Sequence, residues 1–155
     1  SFEAAEASVS LLVRRLSPDY QPLFTLHDYR GMVNRHGDRQ VAEATIKLTV
    51  RGHDVHTAAE GNGPVNAFDT ALRKALQPLF PQVAQIQLAD YKVRILNGNS
   101  GTGAVTRVLI DWHDGSERRW STVGAGTNIL DATWLALADG YEYALTTTDQ
   151  PVAAR

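Results

Sequence analysis

Residues 60–76 read E-G-N-G-P-V-N-A-F-D-T-A-L-R-K-A-L, and this stretch predicts a strand that turns tightly into a helix. Gly61 and Gly63 let the backbone turn and approach a ligand without a Cβ in the way. Pro64 suits the first helical position, because its missing N–H would have no intrahelical partner. A helix start carries unpaired N–H groups and a partial positive charge, so it favours a bound carboxylate or phosphate. The alternative is a plain tight turn between two core elements. The apolar stripe of the predicted helix consists of Val65, Phe68, Leu72, Ala75 and Leu76.

The composition is typical of a globular domain and excludes several classes of function. The 155 residues are 43% hydrophobic and 21% charged, with a formal net charge of -2, which fits one domain or two small halves with a shared core. No basic stripe is present, so we expect no nucleic-acid partner. No apolar run approaches the ~20 residues of a membrane helix. The absence of cysteine excludes disulfides, thiolate catalysis and cysteine-ligated zinc. A cytoplasmic location is compatible with this composition and is our expectation.

The hydrophobic pattern predicts an opening helix and then two similar series, each of three strands and a helix. The opening helix is predicted at 3–16, and we interpret residues 1–20 as the end of a connector with little to pack on in this chain. The start lacks the layout of a signal peptide, and we interpret the chain as part of a longer polypeptide. A frayed tail is expected at 149–155. The predicted strands are 23–33, 41–50 and 55–59, followed by a helix to about 77, and then 86–96, 104–112 and 118–123, followed by a helix after 128.

The two series match each other and indicate an internal duplication. Residues 26–30, L-H-D-Y-R, match 88–92, L-A-D-Y-K, at an offset of 62. We therefore predict an α+β fold of duplicated βββα units, about 21–78 and 83–146, with pseudo-twofold symmetry and antiparallel sheets packed against helices. The further matches are Asn66 and Asp69 with Asn128 and Asp131 at the same offset, and Gly61 and Gly63 with Gly124 and Gly126 after a slip of one residue.

A β-bulge is predicted in the first strand of each series, because the apolar phase changes where Leu88 is followed by Tyr91 and Ile95. One extra residue, at Asp28 in the first series and at Asp90 in the second, would return the apolar residues before and after the phase change to the same face of the strand. Leu88, Tyr91 and Ile95 would then share one surface, either as core residues or as the lining of a slot.

No residue pattern in the chain predicts catalysis or a metal site. His53 and His56 are three residues apart, but no carboxylate pattern completes a ligand set. The sequence contains no nucleophile elbow and no phosphate-binding loop. The glycine turn before the helix is too short for a dinucleotide fingerprint. We therefore predict no catalytic residue, no metal ligand and no cofactor in this chain.

These features favour the binding of a small ligand between the two halves. An amino acid fits well, with its carboxylate at the helix start after Gly61 and Gly63 and its ammonium group on backbone carbonyls or Asn66. An aliphatic side chain would enter a slot lined by residues such as Val65, Leu88, Tyr91 and Ile95.

Four segments carry a resemblance to a known family. They are G-N-G-P-V-N-A-F-D-T-A-L at 61–72, L-A-D-Y-K-V-R-I-L at 88–96, G-T-G-A-V-T-R-V-L-I at 101–110 and T-V-G-A-G-T-N-I-L-D-A-T-W-L-A-L at 122–137. Together they resemble the C-terminal regulatory domain of the 2-isopropylmalate synthase and citramalate synthase family. The D-Y-K-V-R-I-L piece and the closing W-L-A-L-A-D-G-Y-E-Y-A-L are more similar to citramalate synthase. The resemblance covers nearly the whole chain.

The resemblance implies feedback control by an end product. Such domains, here 21–148, bind isoleucine in citramalate synthases or leucine in isopropylmalate synthases. They also form homodimers, with the effector pocket near the interface between βββα units. The parent enzymes are acyltransferases whose separate catalytic barrel uses a divalent metal to condense acetyl-CoA with a 2-oxo acid, and none of the barrel's motifs is present here. The alternatives are a dimerisation module without effector binding and a free-standing enzyme. The implied effector contacts are Gly61, Gly63, Val65, Asn66, Leu88, Tyr91, Ile95, Thr102, Thr106, Thr127 and Ile129.

Overall fold

In the described part of the chain, three α-helices and six strands form an α+β fold, which confirms the predicted fold class. The computed structural model describes residues 5–96 and 103–148. A short 3-10 helix, Pro81–Gln85, lies between the two series. The opening helix is shorter than predicted, and both later helices begin close to their predicted starts. The elements are α1 (Glu6–Arg14), β1 (Phe24–His36), β2 (Arg39–Val50), β3 (His53–Gly61), α2 (Pro64–Leu76), β4 (Gln87–Leu96), β5 (Val105–His113), β6 (Arg119–Gly126) and α3 (Ile129–Thr148).

The chain divides into two compact units, each with its own three-stranded antiparallel sheet. The first unit is Pro22–Pro81, with strand order β1-β2-β3 and α2 packed on β2 and β3. The second unit combines the described residues of 1–21 and 82–155, with strand order β4-β5-β6 and α3 packed on β5 and β6. Along β2 from Ala42 to Val50, every second residue is buried and forms the core face of the sheet. These buried residues are Ala42, Ala44, Ile46, Leu48 and Val50.

Both predicted β-bulges are confirmed. The pairing of β1 with β2 shifts between Leu26 and Asp28, and the pairing of β4 with β5 shifts between Leu88 and Asp90. The extra residues are therefore His27 and Ala89, one position before the aspartates that we predicted. Each bulge shifts the alternation of side chains between the two faces of the strand by one residue. The apolar positions before and after the bulge therefore lie on the same core face.

The helix starts show that part of the predicted residue matching between the units is wrong. The Thr57 hydroxyl donates to the Ala71 carbonyl at 2.7 Å, and the Thr122 hydroxyl donates to the Ala136 carbonyl at 2.8 Å. These equivalent bonds are 65 residues apart, not 62. The connections between strands are longer in the second unit, so the offset grows along the chain. The structural equivalents at the helix starts are Gly61 with Gly126, Gly63 with Asn128 and Asn66 with Asp131.

Helix α1 is firmly packed, contrary to our expectation that it had little to pack on. Its Ser8 hydroxyl accepts a hydrogen bond from the backbone N–H of Val123 at 3.0 Å and donates to the Asp139 carboxylate at 3.0 Å. Arg15, just after the helix, lies 2.9 Å from Asp139 and 3.0 Å from Glu142. We call Ser8, Arg15, Asp139 and Glu142, together with Tyr20, whose hydroxyl donates to Glu142, the α1 cluster. This cluster fixes α1 on α3.

Replacing Arg15 by methionine should destabilise the chain by about 2 kcal/mol, since it leaves two buried carboxylates without their cation. The expected cost is below that of a fully buried pair because the Arg15 side chain is one-third exposed. Burial already raises the pKa of Asp139, although Arg15 and Ser8 oppose that rise. Without Arg15 this pKa should rise further.

The sign of the pH effect follows from proton binding. The folded variant would bind more protons than the unfolded chain above about pH 4, so its stability should fall as the pH rises. Urea unfolding at pH 5 and pH 8 should therefore show a larger loss, relative to the parent chain, at pH 8. An equal loss at both values would contradict this account, and Arg35→Met, at an exposed position, serves as the control.

Candidate functional site

The start of α2 is shaped by one glycine that the packing requires and another that it does not. A Cβ on Gly61, the last residue of β3, would lie 2.4 Å from the Asn66 side-chain oxygen and 2.6 Å from the Ala67 nitrogen. Glycine at 61 therefore lets β3 pass closely beneath the first turn of α2. A Cβ on Gly63 would meet nothing within 4 Å in the described part of the chain, and its φ of -161° is ordinary extended backbone. Gly63 thus leaves open space at the helix start.

The N-terminus of α2 is the positive end of the helix dipole, and no side chain compensates it among the described residues. Gly63 is the N-cap residue, and among the described residues no side chain caps the helix and no acidic residue lies in its first turn. Pro64 has no N–H, so the N–H groups of Val65 and Asn66 are the donors that lack an intrahelical acceptor. Asn66 is exposed, whereas the side chain of Val65 is only 2% exposed. The site can therefore offer backbone donors to an anion.

The start of α3 is different, because its own side chains compensate it. Asn128 accepts a hydrogen bond from the backbone N–H of Asp131 at 3.0 Å and donates to the Asp131 carboxylate at 3.1 Å. This reciprocal pair satisfies an end donor and places a negative charge in the first turn. Of the two helix starts, that of α2 is therefore the one that favours the binding of a free carboxylate. Thr127 is exposed and Ile129 is half-buried beside this closed start.

The predicted apolar residues of β4 share one face of their sheet. Leu88 pairs with Trp112, Tyr91 with Ile110 and Ile95 with Thr106. The β5 partners are buried beneath α3, yet Tyr91 is 45% exposed and Ile95 is 68% exposed. The face that forms the core over β5 and β6 thus continues onto β4 as an exposed apolar surface.

The structure brings the predicted contacts together in two groups, one in each unit. Gly61, Gly63, Val65 and Asn66 lie at the β3–α2 junction of the first unit. In the second unit, Thr106 pairs with Ile95 on one side and with Gly126, the residue before Thr127, on the other. Leu88 and Tyr91 lie further along β4. Thr102 lies outside the described residues. The assignment of these residues to an effector stays a prediction.

A histidine-containing hydrogen-bond chain on the first sheet is not suited to nucleophilic catalysis. The Thr49 hydroxyl donates to Asp54 at 2.7 Å, so the His27 Nε2 atom, 2.5 Å from that hydroxyl, must be the donor to it. A protonated Nε2 cannot accept the threonine proton. The neighbouring cavity has a volume of about 290 Å³ and is lined by His27, Lys47, Leu48, Asp54, Val55 and His56. Within 5–96 and 103–148, no three histidine, aspartate or glutamate side chains are grouped as metal ligands.

Sequence reasoning missed the α1 cluster and the difference between the two helix starts. The second of these had a signal, because Asn128-x-x-Asp131 is a capping pattern. The same two residues also match Asn66 and Asp69 at an offset of 62, and that match hides the capping pattern. The α1 cluster joins residues more than a hundred positions apart, and no local pattern marks such a contact.

Comparison with known proteins places the chain in a family. The family model described as the LeuA allosteric (dimerisation) domain matches residues 3–145. The (R)-citramalate synthase of Synechocystis sp. is 48% identical over 149 residues, which cover 93% of this chain and 27% of that protein. The (R)-citramalate synthase of Aquifex aeolicus is 46% identical over 146 residues, covering 93% of this chain and 28% of that protein. The 2-isopropylmalate synthase of Aquifex aeolicus is 31% identical over 127 residues, which cover 82% of this chain and 22% of that protein.

The chain belongs to the LeuA allosteric (dimerisation) domain family. The greater similarity to citramalate synthases than to 2-isopropylmalate synthases confirms the predicted resemblance. The chain spans little more than a quarter of the length of the citramalate synthases it matches. In the described part of the chain, no helix is both long and apolar enough to cross a membrane.

Proposed function

We propose that this chain is the regulatory domain of a citramalate synthase and binds a branched-chain amino acid, isoleucine foremost, for feedback inhibition. The uncapped start of α2, in a chain of an allosteric-domain family, is the observation that carries this proposal. Leucine, as in a 2-isopropylmalate synthase, is the second candidate. The higher identity to citramalate synthases favours isoleucine.

In this proposal the carboxylate of the effector accepts hydrogen bonds from the backbone N–H groups of Val65 and Asn66. A backbone site of this kind needs no charged side chain, because the end of the helix supplies the positive potential. The β4 residues Leu88, Tyr91 and Ile95 stay proposed contacts of an aliphatic group, because the burial of exposed apolar surface by a ligand is favourable. The remaining proposed contacts are Thr102, Thr106, Thr127 and Ile129.

Feedback inhibition requires that isoleucine bind the inhibited arrangement of the parent enzyme more tightly than the active one. A coupling of ~1–3 kcal/mol is the usual size of such an effect. The α1 cluster ties α1 to α3, so a change at the start of α3 would be passed to α1. We assign the outward face of α1 to contact with the catalytic domain, because it is apolar and exposed. That face consists of Val9, Leu12 and Val13, and the exposed Leu16 lies just after the helix.

The remaining parts of the proposal concern the whole protein. We propose a cytoplasmic homodimer whose catalytic domain is an acyltransferase acting on acetyl-CoA and a 2-oxo acid. The divalent metal of that reaction would belong to the catalytic domain, since the described residues of this chain hold no suitable ligand group.

Thermal melting of the chain with single amino acids tests the function. Isoleucine at ~100 times its dissociation constant should stabilise the chain by about 2.7 kcal/mol, which is a rise in Tm of roughly 5–11 °C at this size. Leucine and valine should give smaller shifts, because misplacing a methyl group costs ~1–3 kcal/mol. Glycine, which has the same charged groups and no side chain, is the control.

A chain that is dimeric by light scattering but shows no shift with isoleucine, leucine or valine would contradict effector binding. That result would favour the alternative of a dimerisation module without an effector.

A further inference from the structure

Each sheet has a face that points away from its helix, and the two faces carry opposite net charge. Thr57 and Thr122 bond to α2 and α3, so the strand positions that alternate with them point away from the helices. We call these surfaces, in the rows where all three strands pair, the first and second outer faces. With histidine neutral, the first has four acidic and two basic side chains, and the second has two acidic and four basic. The charged residues are Asp28, Arg30, Glu43, Lys47, Asp54 and Glu60 on the first, and Asp90, Lys92, Arg94, Arg107, Asp111 and Arg119 on the second.

The difference is sharpest in one row, which lies four residues beyond the bulge aspartate in each sheet. In this row of the first sheet, Glu43 of β2 pairs directly with Glu60 of β3. In the same row of the second sheet, Arg94 of β4 pairs directly with Arg107 of β5. Like charges directly opposite each other destabilise a sheet. Neither Glu43 nor Glu60 forms an ion pair within the described ranges, so a cation placed on this pair from outside would be favourable.

The glutamate pair borders a cavity that has room for a cationic side chain. The cavity has a volume of about 460 Å³, and its lining includes both glutamates, the small Ala58 and Lys74. The Lys74 ammonium group is engaged elsewhere, because it donates to the Ala58 carbonyl at 2.8 Å. Two neighbouring carboxylates suit a guanidinium group, which donates several hydrogen bonds in a fixed geometry. On the second outer face, Arg94 is exposed and presents such a group.

We propose that the first outer face of one chain binds the second outer face of a second copy, with Arg94 of one copy against Glu43 and Glu60 of the other. The opposite net charges select this pairing, because a face brought against its own equivalent would be repelled. The inference rests on the homodimer of the proposed function and assigns its surface. It concerns two different chains, so it requires no particular arrangement of the two units within one chain.

Two charge-reversal variants test the pairing. Glu43→Lys with Glu60→Lys makes both faces basic, and Lys92→Glu with Arg94→Glu makes both faces acidic. Each variant alone then opposes like charges, so the dissociation constant of its dimer, measured by analytical ultracentrifugation, should rise ~100-fold or more. An equal mixture of the two variants should form dimers again, since every basic face can then meet an acidic one. Contact between two identical faces would not give this rescue.

A matched control separates the surface from the overall charge of the chain. Asp19→Lys with Asp38→Lys changes the net charge by the same amount at exposed positions outside both outer faces, and should dimerise like the parent chain. Should a double variant fail to fold, Glu60→Lys and Arg94→Glu alone, both at exposed positions, give the same test with a smaller loss and the same rescue on mixing.

The outcomes distinguish this inference from the proposed function. If the parent chain is a dimer and the reversed variants dimerise equally well, or their mixture gives no rescue, the inference is wrong and the homodimer stands. If the parent chain is a monomer, the inference and the homodimer are both wrong. Effector binding is judged separately by the melting experiment with isoleucine, which does not depend on either result.

Discussion

Replacing Gly63 by aspartate should abolish the stabilisation of the chain by isoleucine while leaving the fold intact. The new side chain would point into open space, and aspartate is a favourable N-cap residue that should stabilise α2 by a few tenths of a kcal/mol. Its carboxylate would occupy the donors proposed for the effector and repel the effector's own carboxylate. Two like charges ~4 Å apart near a protein surface repel by about 4 kcal/mol, so we expect affinity to fall roughly 100-fold or more. Calorimetric titration with isoleucine measures this directly.

Two further variants at Gly63 separate charge from bulk. Gly63→Ala adds only a methyl group and should retain most of the isoleucine affinity. Gly63→Asn caps the helix without a charge and should give an intermediate affinity. Undiminished binding by Gly63→Asp would show that the effector's carboxylate does not lie at the start of α2.

Replacing Gly124 by alanine should give the largest loss of stability among the substitutions considered. A Cβ on this β6 residue would lie 2.1 Å from the Ala132 carbonyl oxygen and 2.7 Å from the Ala136 nitrogen. Both atoms belong to the backbone of α3, so relief requires the helix to move away from the sheet. Overpacking of this kind costs up to about 3 kcal/mol, and more where the backbone must shift. The Tm should fall by roughly 6–12 °C.

Gly63→Ala is also the matched control for this substitution, since its Cβ meets nothing within 4 Å among the described residues. It should cost no more than about 1 kcal/mol, the penalty for alanine at an N-cap. Equal losses for the two variants in denaturant unfolding would contradict the close packing of α3 on β6.

The repeating architecture could be predicted from the sequence because its signals are local. The alternation of β2 has a period of two, and Pro64 after two glycines marks a helix start. The phase change around Asp90 predicted a bulge to within one residue. Each of these follows from a few neighbouring side chains and the geometry of a single element.

The correspondence between the units could not be predicted by a fixed offset, because the second unit has longer connections between its strands. The offset drifts from 62 at the bulges to 65 at the helix starts. A match such as Asn66 with Asn128 is then a coincidence of residue type, whereas the hydrogen bonds of Thr57 and Thr122 fix the equivalence. Contacts made across the chain, such as Arg15 with Asp139, also leave no local signal. They depend on how α1 packs against α3, which only the folded chain defines.

The most direct test of the central claim is a crystal structure of the chain grown with isoleucine. The account predicts isoleucine with its carboxylate oxygens about 3 Å from the backbone nitrogens of Val65 and Asn66. Isoleucine bound with its carboxylate elsewhere, for example at the start of α3 beside Asp131, would contradict it.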